Sequence, residues 1–253
     1  QSEVNDLKRI ATFYSTLNNP GQSKVYDNAA EALKEKIADE TRSNNLFILS
    51  IGLNTGNNMQ LSYAESAASA VADSLQRISG RMFKKVWARV LNKQPSKDSI
   101  ENAFKTVARQ SKPGDTFIFY FSGNAQNTEN DFELQCSNNT KVTSRQLSAW
   151  FSRIEATHQC IILDAPASAF ISRYLTTDYL DAPGLDLFLL CPVQLSIEDA
   201  TFKQSLFTHE LLSALHEATN AQGVITAKSL DAYMFKKLGR EGYYLQTQSF
   251  SFG

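Results

Sequence analysis

The sequence predicts a three-layer α/β/α fold: a mainly parallel central sheet of about six strands with helices on both faces. Two observations predict it. The strand-like segments are short continuous apolar runs, at residues 46–53, 116–121, 160–163 and 187–191. A strand apolar on both sides has to be covered on both faces. Between these runs lie helix-like stretches with their own start signals, and strands alternating with helices are joined by crossovers into parallel pairs.

The elements follow in order. Residues 1–43 are polar and carry a turn at Asn18-Asn19-Pro20-Gly21. A helix is predicted from Val25 to Arg42, where Val25, Ala29, Leu33 and Ile37 recur at helical spacing. This region is expected to be a helical extension or linker, with one domain over residues 44–253. Inside that domain, Leu46–Leu53 is a buried strand, Ser62–Ile78 an Ala-rich helix and Phe83–Leu91 a strand. Asp98-x-x-Glu101 is expected to open a helix as a capping box, and Lys112-Pro-Gly-Asp115 to stop it. Thr116–Phe121 is a strand, and Thr143-x-x-Gln146 opens a further helix to Ile154. Strands Cys160–Leu163 and Leu187–Cys191, helices Phe202–Glu217 and Thr226–Leu238, and an alternating edge strand Leu245–Phe252 complete the set.

Composition narrows the function. Among 253 residues, 25 Lys and Arg stand against 26 Asp and Glu, which excludes a strongly basic nucleic-acid binder. No apolar run approaches the ~18 residues of a membrane span. Three cysteines in a chain this long make no disulfide scaffold, and their odd number leans towards a reducing compartment. No CxxC or Cys/His metal spacing is present, and Gly52-x-x-x-Gly56 runs into Asn57-Asn58 without a phosphate-loop lysine. No metal or cofactor is expected. The sequence opens at Gln1 rather than methionine, as a processed or truncated chain would.

In an open parallel sheet, ligands gather beyond the carboxyl ends of the strands. The four loops there begin at Ser50, Phe121, Leu163 and Leu190. Their content carries a resemblance. Phe119-Tyr-Phe-Ser-Gly-Asn-Ala125 is similar to the caspase and metacaspase segment that ends in Ser-Gly-His-Gly. Leu163-Asp-Ala-Pro-Ala-Ser-Ala169 is similar to that family's second segment, Leu-Asp-Ala/Ser-Cys-x-Ser-Gly. Lys112-Pro-Gly-Asp115, Leu206-Phe-Thr-x-x-Leu-Leu-x-Ala-Leu215 and Gln246-Thr247 extend the match in the correct order. The chain thus resembles the caspase-like domains of peptidase family C14, and looks closer to their bacterial and metacaspase-like branch than to animal caspases.

The resemblance implies a His as general base and a Cys as nucleophile. This sequence has Asn124 and Pro166 at those two positions, and Ala125 and Ala169 in place of the glycines that follow. An amide takes up no proton, and proline has neither a nucleophile nor an N–H to offer an oxyanion. The expectation is therefore a pseudoprotease with no catalytic residues, acting in protein binding, scaffolding or regulation. Ser122, Gly123, Asp164, Cys191 and Gln194 are its groove candidates. In the family the carboxylate matching Asp164 shapes the pocket beside the nucleophile; the same residue also reads as a capped strand end. The alternative is a cysteine peptidase with a relocated nucleophile, Cys191. Cys136 reads as structural, and His158 with Cys160 as strand-entry residues on the opposite rim. The connector Asp178-Tyr-Leu-Asp181 is expected to be exposed. A protein or peptide partner is expected, with possible pairing of two copies through the C-terminal edge strand.

Overall fold

A computed structural model of the chain describes residues 2–41, 43–55, 60–80, 82–175, 177–180, 182–192, 197–219, 224–240 and 245–251. The chain divides into two compact units, residues 1–43 with 81–84, and residues 44–80 with 85–253.

The first unit holds two helices, α1 (Ser2–Thr16) and α2 (Pro20–Thr41). The helix α1 departs from the expectation of a merely polar segment. Val4, Leu7, Ala11 and Tyr14 recur every three or four residues, and they are its more buried positions. The reversal between the helices uses Asn18 in the left-handed region, at φ 57°. The side chain of Asn19 then accepts from the N–H of Gln22 at 3.3 Å, and Pro20 occupies the first helical position. There its missing N–H costs nothing, so α2 starts five residues before the expected Val25. Tyr14 stacks on Tyr26 at 5.4 Å, and Lys8 pairs with Glu31 at 3.1 Å, contacts that run the two helices antiparallel.

The second unit is built on strands β1 (Asn45–Gly52), β2 (Lys85–Leu91), β3 (Thr116–Ser122), β7 (His158–Asp164), β8 (Asp186–Pro192) and β11 (Leu245–Ser251). They form one sheet in the order β11-β8-β7-β3-β1-β2, with parallel pairing throughout except for β11, which is antiparallel to β8. The three-layer fold class expected from the sequence is the one present. Helices α4 (Lys97–Gln110) and α5 (Ser144–Phe151) cover one face, where Phe104 and Phe151 interlock with Phe117 and Phe119 of β3. Helix α3 (Ala64–Ser79) lies on the other, where Ser50 donates to the Ala68 carbonyl at 2.6 Å. Helix α7 (Leu206–Glu217) joins it there through Tyr120 and Thr208, and α8 (Ala227–Arg240) packs on α7. Alternate residues of each strand face opposite layers, so β3 sends Phe117, Phe119 and Phe121 one way and Tyr120 and Ser122 the other. A small antiparallel meander, β4 (Ala125–Asn127), β5 (Phe132–Gln135) and β6 (Lys141–Thr143), follows β3.

The local rules hold with adjustments. Thr143 and Gln146 make the expected capping box of α5. The cap of α4 is instead Ser96, whose hydroxyl accepts from the N–H of Ser99 at 3.2 Å, so Asp98 sits inside the first turn. There its charge suits the positive end of the helix. The helix expected from Phe202 begins at Leu206 because Ser205 caps it, and Gln204–Ser205 (β10) pairs with Glu198–Asp199 (β9). Tyr179, expected to be exposed, is instead 1% exposed in α6 (Thr177–Leu180). Its ring lies 5.7 Å from Phe151, and its hydroxyl donates to Gln159 at 2.9 Å. An aromatic ring with one polar tip buries readily once that tip is bonded. Asp181 lies outside the described residues. Among the described residues, no helix is long and apolar enough to cross a membrane.

Candidate functional site

The parallel pairing of β1, β3, β7 and β8 brings their carboxyl ends to one rim. Ser122 stands opposite Gly52 on one side and Asp164 on the other. The chains stay joined one residue further: Leu53 N–H donates to Ser122 O at 3.0 Å, and Gly123 N–H donates to Asp164 O at 3.3 Å. The segments Ser122-Gly123-Asn124 and Asp164-Ala165-Pro166 therefore leave the sheet side by side.

Asp164 organises the polar atoms there. It is 4% exposed, and its Oδ2 accepts from Ser205 Oγ at 2.5 Å and from Thr208 Oγ1 at 2.6 Å. With its proton committed to Asp164, Thr208 Oγ1 accepts from the Tyr120 hydroxyl at 2.6 Å. Ser205 Oγ meanwhile accepts from Thr208 N–H at 2.9 Å as the cap of α7. A carboxyl group thus sits at the amino end of α7, where the helix dipole favours negative charge. Burial, and then the charge of Asp164, push the Tyr120 phenol well above its ordinary value.

A second carboxylate closes the rim from β9. Glu198 accepts from Ser62 N–H at 2.7 Å and from Tyr63 N–H at 2.8 Å, and Asn54 Oδ1 accepts from Glu65 N–H at 3.1 Å. Tyr63, the N-cap of α3, has no capping side chain of its own; its N–H is satisfied from β9, and that of Glu65 from the loop after β1.

Between the two carboxyl groups lies a cavity lined by residues that include Ser122, Gly123, Asp164, Pro166, Glu198 and Ser205. Its volume is about 10 Å³, room for roughly one water molecule. Asn124 and Cys191 do not line it. Asn124 is 1% exposed, and its carbonyl accepts from Gln135 N–H at 2.9 Å, next to the first pair of the β4–β5 ladder. Gln194 lies outside the described residues.

Cys191 is buried on the aromatic face of the sheet, and burial pushes its thiol up to about 12, against a smaller pull from the Ser168 hydroxyl. A thiolate nucleophile needs the opposite shift. The histidines are engaged elsewhere. His158 Nδ1 lies 3.3 Å from Asp186 at the far end of β7, His209 stacks on Phe202 at 3.9 Å, and His216 Nε2 lies 3.3 Å from Ser74 Oγ. Cys136 is buried and Cys160 half-buried, and burial pushes both thiols up to about 12. Among the described residues, no group of three His, Cys, Asp or Glu side chains is arranged to hold a metal ion.

These shifts set an alkaline limit on stability. Each thiol has a folded pKa near 12 against an ordinary 9.0, and Tyr120 and Tyr179 are also raised. A raised pKa gives stability that is complete below the unfolded value and is lost as pH rises through the folded one. The free energy of unfolding from urea titrations is expected to be flat from pH 7 to 8.5 and to fall steadily between about pH 9 and 12, by roughly 1 kcal/mol per buried thiol at pH 10, and the urea midpoint with it. A midpoint unchanged from pH 8 to 11 would contradict it.

Sequence reasoning placed Ser122, Gly123, Asp164 and Pro166 at this rim but missed Tyr120, Glu198, Ser205 and Thr208. Ser205, a serine directly before an apolar run, was the available signal. Glu198 had none, because it caps a helix that begins 134 residues earlier.

No protein-family model matches the chain, and no curated protein matches it in sequence. Among solved structures it is similar to protein GSU0716 from Geobacter sulfurreducens. The two share 14% identity over 82% of this chain and 93% of that one, with a TM-score of 0.60. It is also similar to the initiator caspase Dronc of Drosophila, with 7% identity over 83% of this chain and 81% of that one and a TM-score of 0.55. At such identities the likeness is one of fold, and the fold is caspase-like.

Proposed function

We propose that this chain is a caspase-like domain without peptidase chemistry, which acts by binding a protein or peptide partner at the carboxyl rim of its sheet. The observation that carries this reading is the pair of segments leaving β3 and β7 side by side, Ser122-Gly123-Asn124 and Asp164-Ala165-Pro166, with neither an imidazole nor a thiol in either. Acyl transfer through a thiolate needs both groups within hydrogen-bond reach. The water-sized cavity supports the absence of peptidase chemistry, since it has no room for a substrate side chain beside Pro166, and so does the raised pKa of Cys191. Asn124 and Pro166 stand as vestigial catalytic positions, and Ser122, Gly123, Asp164 and Gln194 as groove residues.

Peptidyl electrophiles presenting Arg, Lys or Asp next to the reactive group test it, with intact mass as the readout. No peptide-dependent adduct is expected. A rapid adduct on Cys191, retained in Cys136→Ala and Cys160→Ala variants, would overturn the reading and establish a relocated nucleophile.

A further inference from the structure

A groove on the α4–α5 face combines an aromatic floor with unbalanced positive charge. Its volume is about 190 Å³, and it is lined by Phe104, Lys105, Ala108, Arg109, Trp150 and Arg153. Phe104 and Trp150 are buried, with rings 5.4 Å apart, so the floor is rigid. Lys105 pairs with Glu101 at 2.8 Å. Glu101 also feels Arg153, and its carboxyl is held below the ordinary range by the Lys105 hydrogen bond first, then by Lys105, Arg153 and Lys97 charges. One carboxylate therefore serves several cations. Among the described residues, neither Arg109 nor Arg153 makes an ion pair with a carboxylate.

Position separates this groove from the rim. Arg109 lies in the last turn of α4, and Arg153 follows the end of α5. The next strands, β3 and β7, begin only at Thr116 and His158, so the groove lies towards the amino ends of the strands. Helix C-termini favour cations, which accounts for the arginines being tolerated there. It does not account for an open cavity between them.

Size and charge select the occupant. Small-molecule pockets usually run from about 300 to 1,000 Å³, and this groove holds a single apolar side chain. Two guanidinium groups beside it match carboxylates in a bidentate geometry. We propose that the groove between α4 and α5 is a docking socket for an acidic peptide segment of a partner protein, one apolar side chain resting on Phe104 and Trp150 and its flanking carboxylates meeting Arg109 and Arg153. This site is independent of the rim and of the reading given above.

The test titrates the whole chain with acetyl-Asp-Glu-Leu-Glu-Asp-amide while the Trp150 indole N–H and Ala108 amide are followed by NMR. A saturable shift of both is expected, with a Kd of about 1 mM or tighter at low salt and weaker at high salt. The R109A/R153A variant should weaken binding at least about tenfold, and Ala108→Glu, which places like charge in the cavity, should abolish it. Both variants should keep the parent urea midpoint; if the double variant does not, Ala108→Glu alone decides. No saturable shift overturns the proposal. So does an equal response to the peptide with lysine at every acidic position. Inorganic phosphate giving the same shifts with the same affinity also overturns it, assigning the groove to a small anion instead.

Discussion

Replacing Gly52 by alanine is expected to cost roughly 3 kcal/mol or more of stability. A Cβ at Gly52 would lie 2.2 Å from the Ala64 carbonyl oxygen, 2.8 Å from the Ala64 carbonyl carbon and 2.7 Å from the Glu65 Cα. All three are backbone atoms in the first turn of α3, so no rotamer change relieves the clash. The strand is held in place from the other side by its register with β3. Either α3 moves away or the end of β1 leaves the sheet. The urea midpoint of Gly52→Ala should fall steeply, or the variant should fail to accumulate as folded protein. Gly123→Ala meets the tip of the Phe121 ring at 2.9 Å, which a ring can partly yield, and should cost less. Gly239→Ala, with nothing within 4 Å in helix α8, should be neutral or stabilising by about 0.5–1 kcal/mol. Equal midpoints for Gly52→Ala and Gly239→Ala would refute the argument.

Asp164→Ala is expected to be nearly as damaging, by roughly 3 kcal/mol. Its Oδ2 is the acceptor for both Ser205 and Thr208, and Thr208 relays the bond to Tyr120. Removing the carboxyl leaves buried hydroxyl donors facing nothing, where desolvation is not repaid. Asp164→Asn keeps one carbonyl oxygen for those donors and should lose roughly half as much. Thr208→Val breaks the relay in the middle, and its effect should not add to that of Tyr120→Phe, with a coupling of about 1 kcal/mol in a double-mutant cycle. Strict additivity would mean that the hydroxyls act separately. Both substitutions change stability through the rim, so partner binding should be compared at temperatures well below each variant's own melting point.

The central strands β1, β3, β7 and β8 were legible because each is an apolar run bounded by turn chemistry, and α5 because both halves of its capping box lie within four residues. What was not legible depends on partners distant in sequence. Nothing near residue 64 reveals that Glu198 caps α3. Nothing near Tyr179 reveals that Gln159 waits for its hydroxyl. The helix α1 escaped notice because exposed apolar residues at Ile10 and Phe13 blur the stripe of Val4, Leu7, Ala11 and Tyr14, and Asp98 looked like a cap because Ser96, two residues earlier, serves equally well by composition. At the rim, the parallel order fixes which loops meet. The Tyr120–Thr208–Asp164 relay joins positions up to 88 residues apart, and only packing brings them together.

The Glu198 contact has a consequence for biosynthesis. The acceptor for the Ser62 N–H lies 136 residues downstream, so a ribosome adding about 5–20 residues per second presents α3 on the order of 10 s before its cap exists. During that interval the N–H of Tyr63, the cap residue of α3, has only solvent, while Asn54 can already serve Glu65. The chain therefore cannot mature in the order in which it is made. The early layer of β1 and α3 waits, frayed at one end, until the last third of the domain emerges and fastens it.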